Sequence, residues 1–230
     1  QTVAAAIEKQ EIDVGWVPET EYARMQQLDY LTFRTPQASL TTGTVINSQI
    51  PYLQDKRVRK ALLYAIDRET IVQTIYAGAS ATIDTLIQLP KYGESPNLLR
   101  YTYDPDQARQ LLAEAGWDSN TKIRWLVDKI PADTSIWDAI NGYWAEVGVQ
   151  AEFQINADLT VARAPDWDFD LYWSSYPLGH PTESAVYFDS RQADAYYTGF
   201  DNARYQELLD LSVQRLPDEE MQAVIYEIQE

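Results

Sequence analysis

An α/β fold, with a mixed sheet and helices on both faces, is what this 230-residue sequence predicts. Three stretches carry the prediction. Residues 55–78 pair two amphipathic helices at one acidic joint. Residues 104–117 form a helix punctuated at both ends. Residues 122–155 read strand, helix, strand, the order of a βαβ unit, whose crossover should be right-handed.

In chain order, residues 1–17 predict a short helix followed by a strand, IDVGWV. Glu19 to Leu28 reads as helix. Tyr30 to Arg34 alternates like a strand that Pro36 ends. Thr44 to Asn47 is β-branched and apolar, a further strand. Asp55 then stands as N-cap to a stripe of Val58, Ala61, Leu62, Ala65 and Ile66. Lys56, Arg57, Arg59 and Lys60 lie near the positive end of that helix dipole, so packing has to carry the helix. Asp67 caps the next stripe, Ile71, Val72, Ile75 and Tyr76, and Gly78 suits a left-handed stop. Residues 79–103, with Pro90, Gly93 and Pro96, lack periodicity and read as loop.

Asp104 at N-cap, Pro105 at N1 and Gln107 at N3 compose a capping box. Ala108, Leu111, Leu112 and Ala115 form that helix's apolar face, and Gly116 closes it. Lys122 to Val127 is the first strand of the βαβ unit and Ile136 to Val147 its helix. In the second strand Val149, Ala151, Phe153 and Ile155 point inward. Trp167 to Ser175 is another strand, apolar on alternate positions, running into the turn-rich segment Tyr176 to Pro181. A short helix over 183–190 and two longer ones, Asn202–Gln214 and Pro217–Gln229, complete the reading.

The run NSQIPYLQDKRVRKALLYAIDRETIV resembles the signature segment of the extracytoplasmic solute-binding proteins of ABC transporters, of the oligopeptide, dipeptide and nickel type. YDPDQARQLLAEAGW resembles a second recurring segment of that family. The resemblance implies one lobe of a two-lobe periplasmic-binding-protein fold of type II. Residues 1–43 would be the tail of the companion lobe, and 44–230 the solute-binding lobe. It implies a monomer without cofactor. The protein would capture a small solute, peptide-like or other, and hand it to an ABC permease. It would work outside the cytoplasm, in the periplasm or lipid-anchored at the outer face of the membrane. Both termini fall in mid-pattern and no signal peptide opens the sequence, so a portion of a longer protein is expected, truncated at its C-terminus.

Composition narrows the chemistry. A net charge of −17 disfavours nucleic acid and anionic membrane surfaces, which attract basic footprints. With no Cys and a single His, disulfides, thiolate metal sites and His-pair zinc sites are out of reach. No run approaches the ~18 apolar residues of a membrane span. No nucleophile elbow, P-loop or dinucleotide fingerprint appears, so no catalytic residue and no metal ligand is assigned. Asp166, Asp168 and Asp170 alternate along one strand and read as solvated strand-edge charge. Seven Trp and 16 Tyr are many for this length and suit a site that grips varied solutes by apolar contact.

Four residues are candidates for ligand binding: Trp173, Tyr176, His180 and Asn47. Trp173 to Pro181 is a strand end followed by an aromatic turn, where α/β lobes meet ligands. Asn47 ends a strand before a Pro turn and could donate to a ligand or cap the turn. The resemblance implies an acid within this turn in peptide-binding members, whereas Tyr176, Pro177 and His180 stand here. A peptide's free amino terminus would forgo a charge-assisted partner, about 1.5–3 kcal/mol. The competing readings are a hydrolase or transferase using acidic side chains, and a sensory or interaction module on the same lobe.

Overall fold

In the computed structural model, residues 3–17, 19–34, 40–128, 134–156, 168–177, 179–192 and 198–230 are described. Their contacts divide them into two units. One comprises Gln1–Gln37 with Asp67–Thr82, the other Ala38–Ile66 with Ile83–Glu230.

The smaller unit holds α1 (Val3–Glu8), α2 (Glu19–Met25) and one later helix. Ala4, Ile7 and Met25 are buried together, with Val17, Leu31 and Phe33 packed against them. Segments 12–17 and 30–34, predicted as strands, form no ladder here. Strand chemistry without a neighbouring strand leaves backbone groups unpaired, so alternation alone does not make a strand. Ile12, Val14 and Trp16 are correspondingly exposed.

The larger unit opens with β1 (Leu40–Ile46) and the short α3 (Pro51–Gln54), which hydrophobic patterning did not reveal. In α4 (Lys56–Tyr64) Asp55 accepts from the Arg57 amide at 2.8 Å, while Val58, Ala61 and Leu62 are buried. Full burial of a Val or Leu contributes roughly 1.5–3 kcal/mol each. Two of the basic residues at its start cap neighbouring elements. Arg57 donates to the Glu114 carbonyl, and Arg59 to the Leu53 and Gln54 carbonyls. Helix α5 (Arg68–Thr74), in the smaller unit, is capped by Asp67, which accepts from Thr70 N at 2.9 Å. It ends before Gly78, and Ala77 and Gly78 both adopt positive φ.

Residues 79–103 carry no regular element. In α6 (Pro105–Ala115) Asp104 caps Gln107 N as expected, but the other half of the box is absent. The Asp104 amide donates instead to the Tyr64 carbonyl at 2.8 Å, tying α6 to α4. Gly116 closes the helix at φ 71°.

Then follow β2 (Lys122–Asp128), α7 (Ser135–Glu146), β3 (Gln150–Asn156), β4 (Leu171–Pro177), α8 (Pro181–Phe188), α9 (Ala203–Ser212) and α10 (Asp218–Gln229). The sheet order is β1-β4-β2-β3, with β1 antiparallel to β4 and the other pairs parallel. This is the mixed sheet the sequence predicts. Register places Trp125, Phe153, Leu171 and Trp173 on one face, against Trp137 and Trp144 of α7. The opposite face presents Val45, Leu126 and Tyr172, buried with Phe169 beneath Leu86 and Phe188 of α8. Helices therefore cover both faces.

Two sequence expectations are corrected in the sheet. Leu171, Tyr172 and Trp173 are buried in succession rather than alternately, because β4 is an inner strand covered on both sides. Ile155, read as inward, is 63% exposed, near the end of the edge strand β3.

Candidate functional site

Because β2, β3 and β4 are parallel, their carboxyl ends lie on one side of the sheet. That is the side from which open α/β sheets meet ligands. Helix α7 begins there, after β2, and the turn after β4 leads there into α8.

Trp173 is the third residue of β4 and is 7% exposed. Its ring is edge-on to Trp125 at 6.0 Å and to Trp137 at 6.4 Å, so it is part of the aromatic layer beneath α7. Tyr176 is the penultimate residue of β4, and its side chain lies outside the described residues. His180 is the N-cap of α8. Its Nδ1 accepts from the Thr182 amide at 3.3 Å, and the Glu183 carboxylate accepts from the His180 amide at 3.1 Å. Nδ1 thereby serves as an acceptor, so the neutral ring carries its proton on Nε2. The Gly179 amide donates to the Leu86 carbonyl at 3.4 Å, tethering the turn to the 79–103 segment.

Asn47 is at the other end of the sheet. Its amide donates to the Asp170 carbonyl, opposite the beginning of β4, six residues before Tyr176. Strand rise makes that separation about 20 Å. Its side chain is also committed: Nδ2 donates to the Phe169 carbonyl at 3.0 Å, and Oδ1 accepts from Gln49 N at 3.0 Å. Tyr176 and His180 thus fall at the end of β4 and the start of α8, Trp173 lies part-way along the strand opposite Thr44, and Asn47 caps the turn after β1.

Around Asn47 lies a constellation that sequence reading missed. Asp170 is 3% exposed, not a solvated edge charge. Its carboxylate accepts from Arg124 N at 2.8 Å, Arg124 Nη2 at 2.7 Å and the Tyr52 hydroxyl at 2.5 Å. Burial, with the hydrogen bond to Asp170 second, pushes the Tyr52 hydroxyl well above its ordinary range. Asp168 is exposed and also pairs with Arg124, while Asp166 lies outside the described residues. The signal was present in the alternating acids, but their partners Tyr52 and Arg124 are 118 and 46 positions away.

No group of three or more His, Asp or Glu among the described residues could hold a metal ion. No described helix is long and apolar enough to cross a membrane.

Residues 1–196 match the family described as bacterial extracellular solute-binding proteins, family 5 Middle, and the chain belongs to that family. It is 32% identical over 155 residues to the dipeptide-binding protein of Escherichia coli K12, covering 64% of this chain and 29% of that protein. It is 25% identical to the oligopeptide-binding protein AppA of Bacillus subtilis, covering 90% of this chain and 42% of that one. NikZ from Campylobacter jejuni, solved in complex with Ni(L-His), superposes with a TM-score of 0.79 at 16% identity. That match spans 98% of this chain and 49% of NikZ. The substrate-binding protein CtaP of Listeria monocytogenes gives 0.81 at 18% identity, over 98% of this chain and 48% of CtaP. These structures share the type II periplasmic-binding-protein fold, and this chain spans about half of their length.

Proposed function

We propose that the protein is the substrate-binding component of an ABC importer. It captures a small solute between two lobes and delivers it unchanged to a membrane permease. Residues 44–230 form the solute-binding lobe, and 1–43 the tail of its companion. The protein works outside the cytoplasm, as a monomer, in the periplasm or lipid-anchored at the outer face of the membrane. The observation that carries this reading is membership of a family of solute-binding proteins. It is supported by a sheet whose three parallel strands end beside one aromatic turn.

Within the site, Tyr176 and His180 are the proposed solute contacts, and Trp173 contributes through the aromatic layer it shares with Trp125 and Trp137. Asn47 acts by holding the far end of the sheet. Hinge closure around the solute buries it, and reopening at the permease frees it. Two relatives are named for dipeptide and oligopeptide binding, but a peptide held here would need its amino-terminal acid from elsewhere than Trp173 to Pro181. Mass spectrometry of the solute that co-purifies with the intact protein identifies the cargo. A bound small molecule recovered unchanged supports the reading; a converted product or no small molecule at all refutes it.

A further inference from the structure

Two cavities open within the larger unit. One, about 550 Å³, lies among Phe188, Phe200, Tyr205 and Leu208, and its rim charges are paired, Arg204 with Glu227 and Asp84 with Arg100. The other, about 250 Å³, is lined by Leu89, Pro90, Lys91, Tyr92, His180, Ser212 and Met221. Although the chain has 35 acidic residues, no acidic side chain lines this second cavity. Its polar side chains are largely engaged. Ser212 Oγ donates to the Leu209 carbonyl at 2.7 Å, and the Lys91 ammonium pairs with Asp218 and sits 5.1 Å over the Tyr92 ring.

His180 differs. The α8 cap consumes Nδ1, which fixes the N–H donor on Nε2. Nε2 has no partner among the described residues. The result is one uncommitted donor on a residue that, with Lys91, lines a largely apolar space. The volume lies below the about 300 Å³ at which pockets begin to take whole small molecules. It fits a single side chain or acyl group.

We infer that this cavity is a subsite for a branched apolar group ending in a carboxylate or other acceptor oxygen, which His180 Nε2–H binds. Its place in solute capture rests on the function proposed above, because His180 belongs to the same turn; its chemistry does not. Cationic ends are disfavoured, because the His180 Nε2–H offers them no lone pair and no carboxylate lines the wall.

The test uses three probes of one shape: isovalerate, isopentanol and isopentylamine. Each is titrated into the intact protein, with the His180 imidazole nitrogen and the Leu89 methyls followed by NMR. His180→Asn supplies the assignment and the control, because Asn retains an N-cap acceptor and leaves α8 folded. Isovalerate is expected to shift both signals saturably, isopentanol more weakly and isopentylamine not at all. His180→Asn is expected to weaken isovalerate at least fivefold as read on the Leu89 methyls. No saturable shift with isovalerate, equal response to the amine, or undiminished binding by His180→Asn overturns the subsite. Solute recovery from the intact protein is independent of all three outcomes, so failure here leaves the transport reading standing.

Discussion

Asp170 joins four parts of the molecule: the start of β4, β2 through Arg124, α3 through Tyr52, and the end of β1 through Asn47. A buried carboxylate is tolerated only when its lone pairs are satisfied, and here they are. Removing it strands a tyrosine hydroxyl and an arginine. Asp170→Ala is expected to cost about 3 kcal/mol, the low end for breaking a buried pair, because the Arg124 side chain remains 36% exposed. Urea denaturation measures it; a loss within about 0.5 kcal/mol, the usual range for a surface site, would contradict the assignment. Trp173→Ala removes a ring from the aromatic layer and is expected to cost about 3 kcal/mol or more by the same measurement.

Asp55 makes a prediction about pH. Hydrogen bonds from Arg57, first through its side chain and then through its amide, pull the Asp55 carboxyl from 3.8 down to about 2. A depressed folded-state value means the stabilisation is present above the ordinary value and lost as pH falls through the folded one. Asp55→Asn is therefore expected to flatten the fall in urea midpoint between about pH 4 and about pH 2. An unchanged slope would show that the cap does not titrate with folding. Such residues show how far sequence reading reaches. Asp55, Asp67 and Asp104 were legible as caps because a cap and its helix are adjacent. The pairing of Asp170 with Tyr52 was not, because only the fold brings them together.

Among the elements, α6 is the most completely specified by its own residues. Asp104 opens it and Gly116, at φ 71°, closes it. Asp104→Ala is expected to cost about 1 kcal/mol, and Gly116→Ala roughly 1–2 kcal/mol for placing a Cβ in the left-handed region. Thermal unfolding of the two single variants checks both, and a neutral effect at Gly116 would mean the turn relaxes. The strands were harder to read. Segments 12–17 and 30–34 carry strand-like residues without a ladder, whereas β4 was legible as a strand but not as an inner one buried on successive positions. Pairing decides both cases, and pairing is not local. The candidate site shows the same division. The turn after β4 was visible as a cluster of Pro, Gly and aromatic residues, but the distance of Asn47 from it follows only from β1 running antiparallel to β4.

At the scale of the whole molecule, family membership and a shared fold over nearly all of this chain coexist with coverage of only about half of each solved relative. The proposed hinge closure around a cargo predicts solute affinity in the intact protein. The absence of an acid from Trp173 to Pro181 bears on the kind of cargo the proposed function would take.

The most direct test is mass spectrometry of the small molecules released when the intact protein, purified under native conditions, is unfolded. A defined solute bound near one per protein, identical in mass to the molecule supplied in the medium, is the predicted result. Release of a chemically altered molecule, or of none while a protein partner stays bound, would contradict the account.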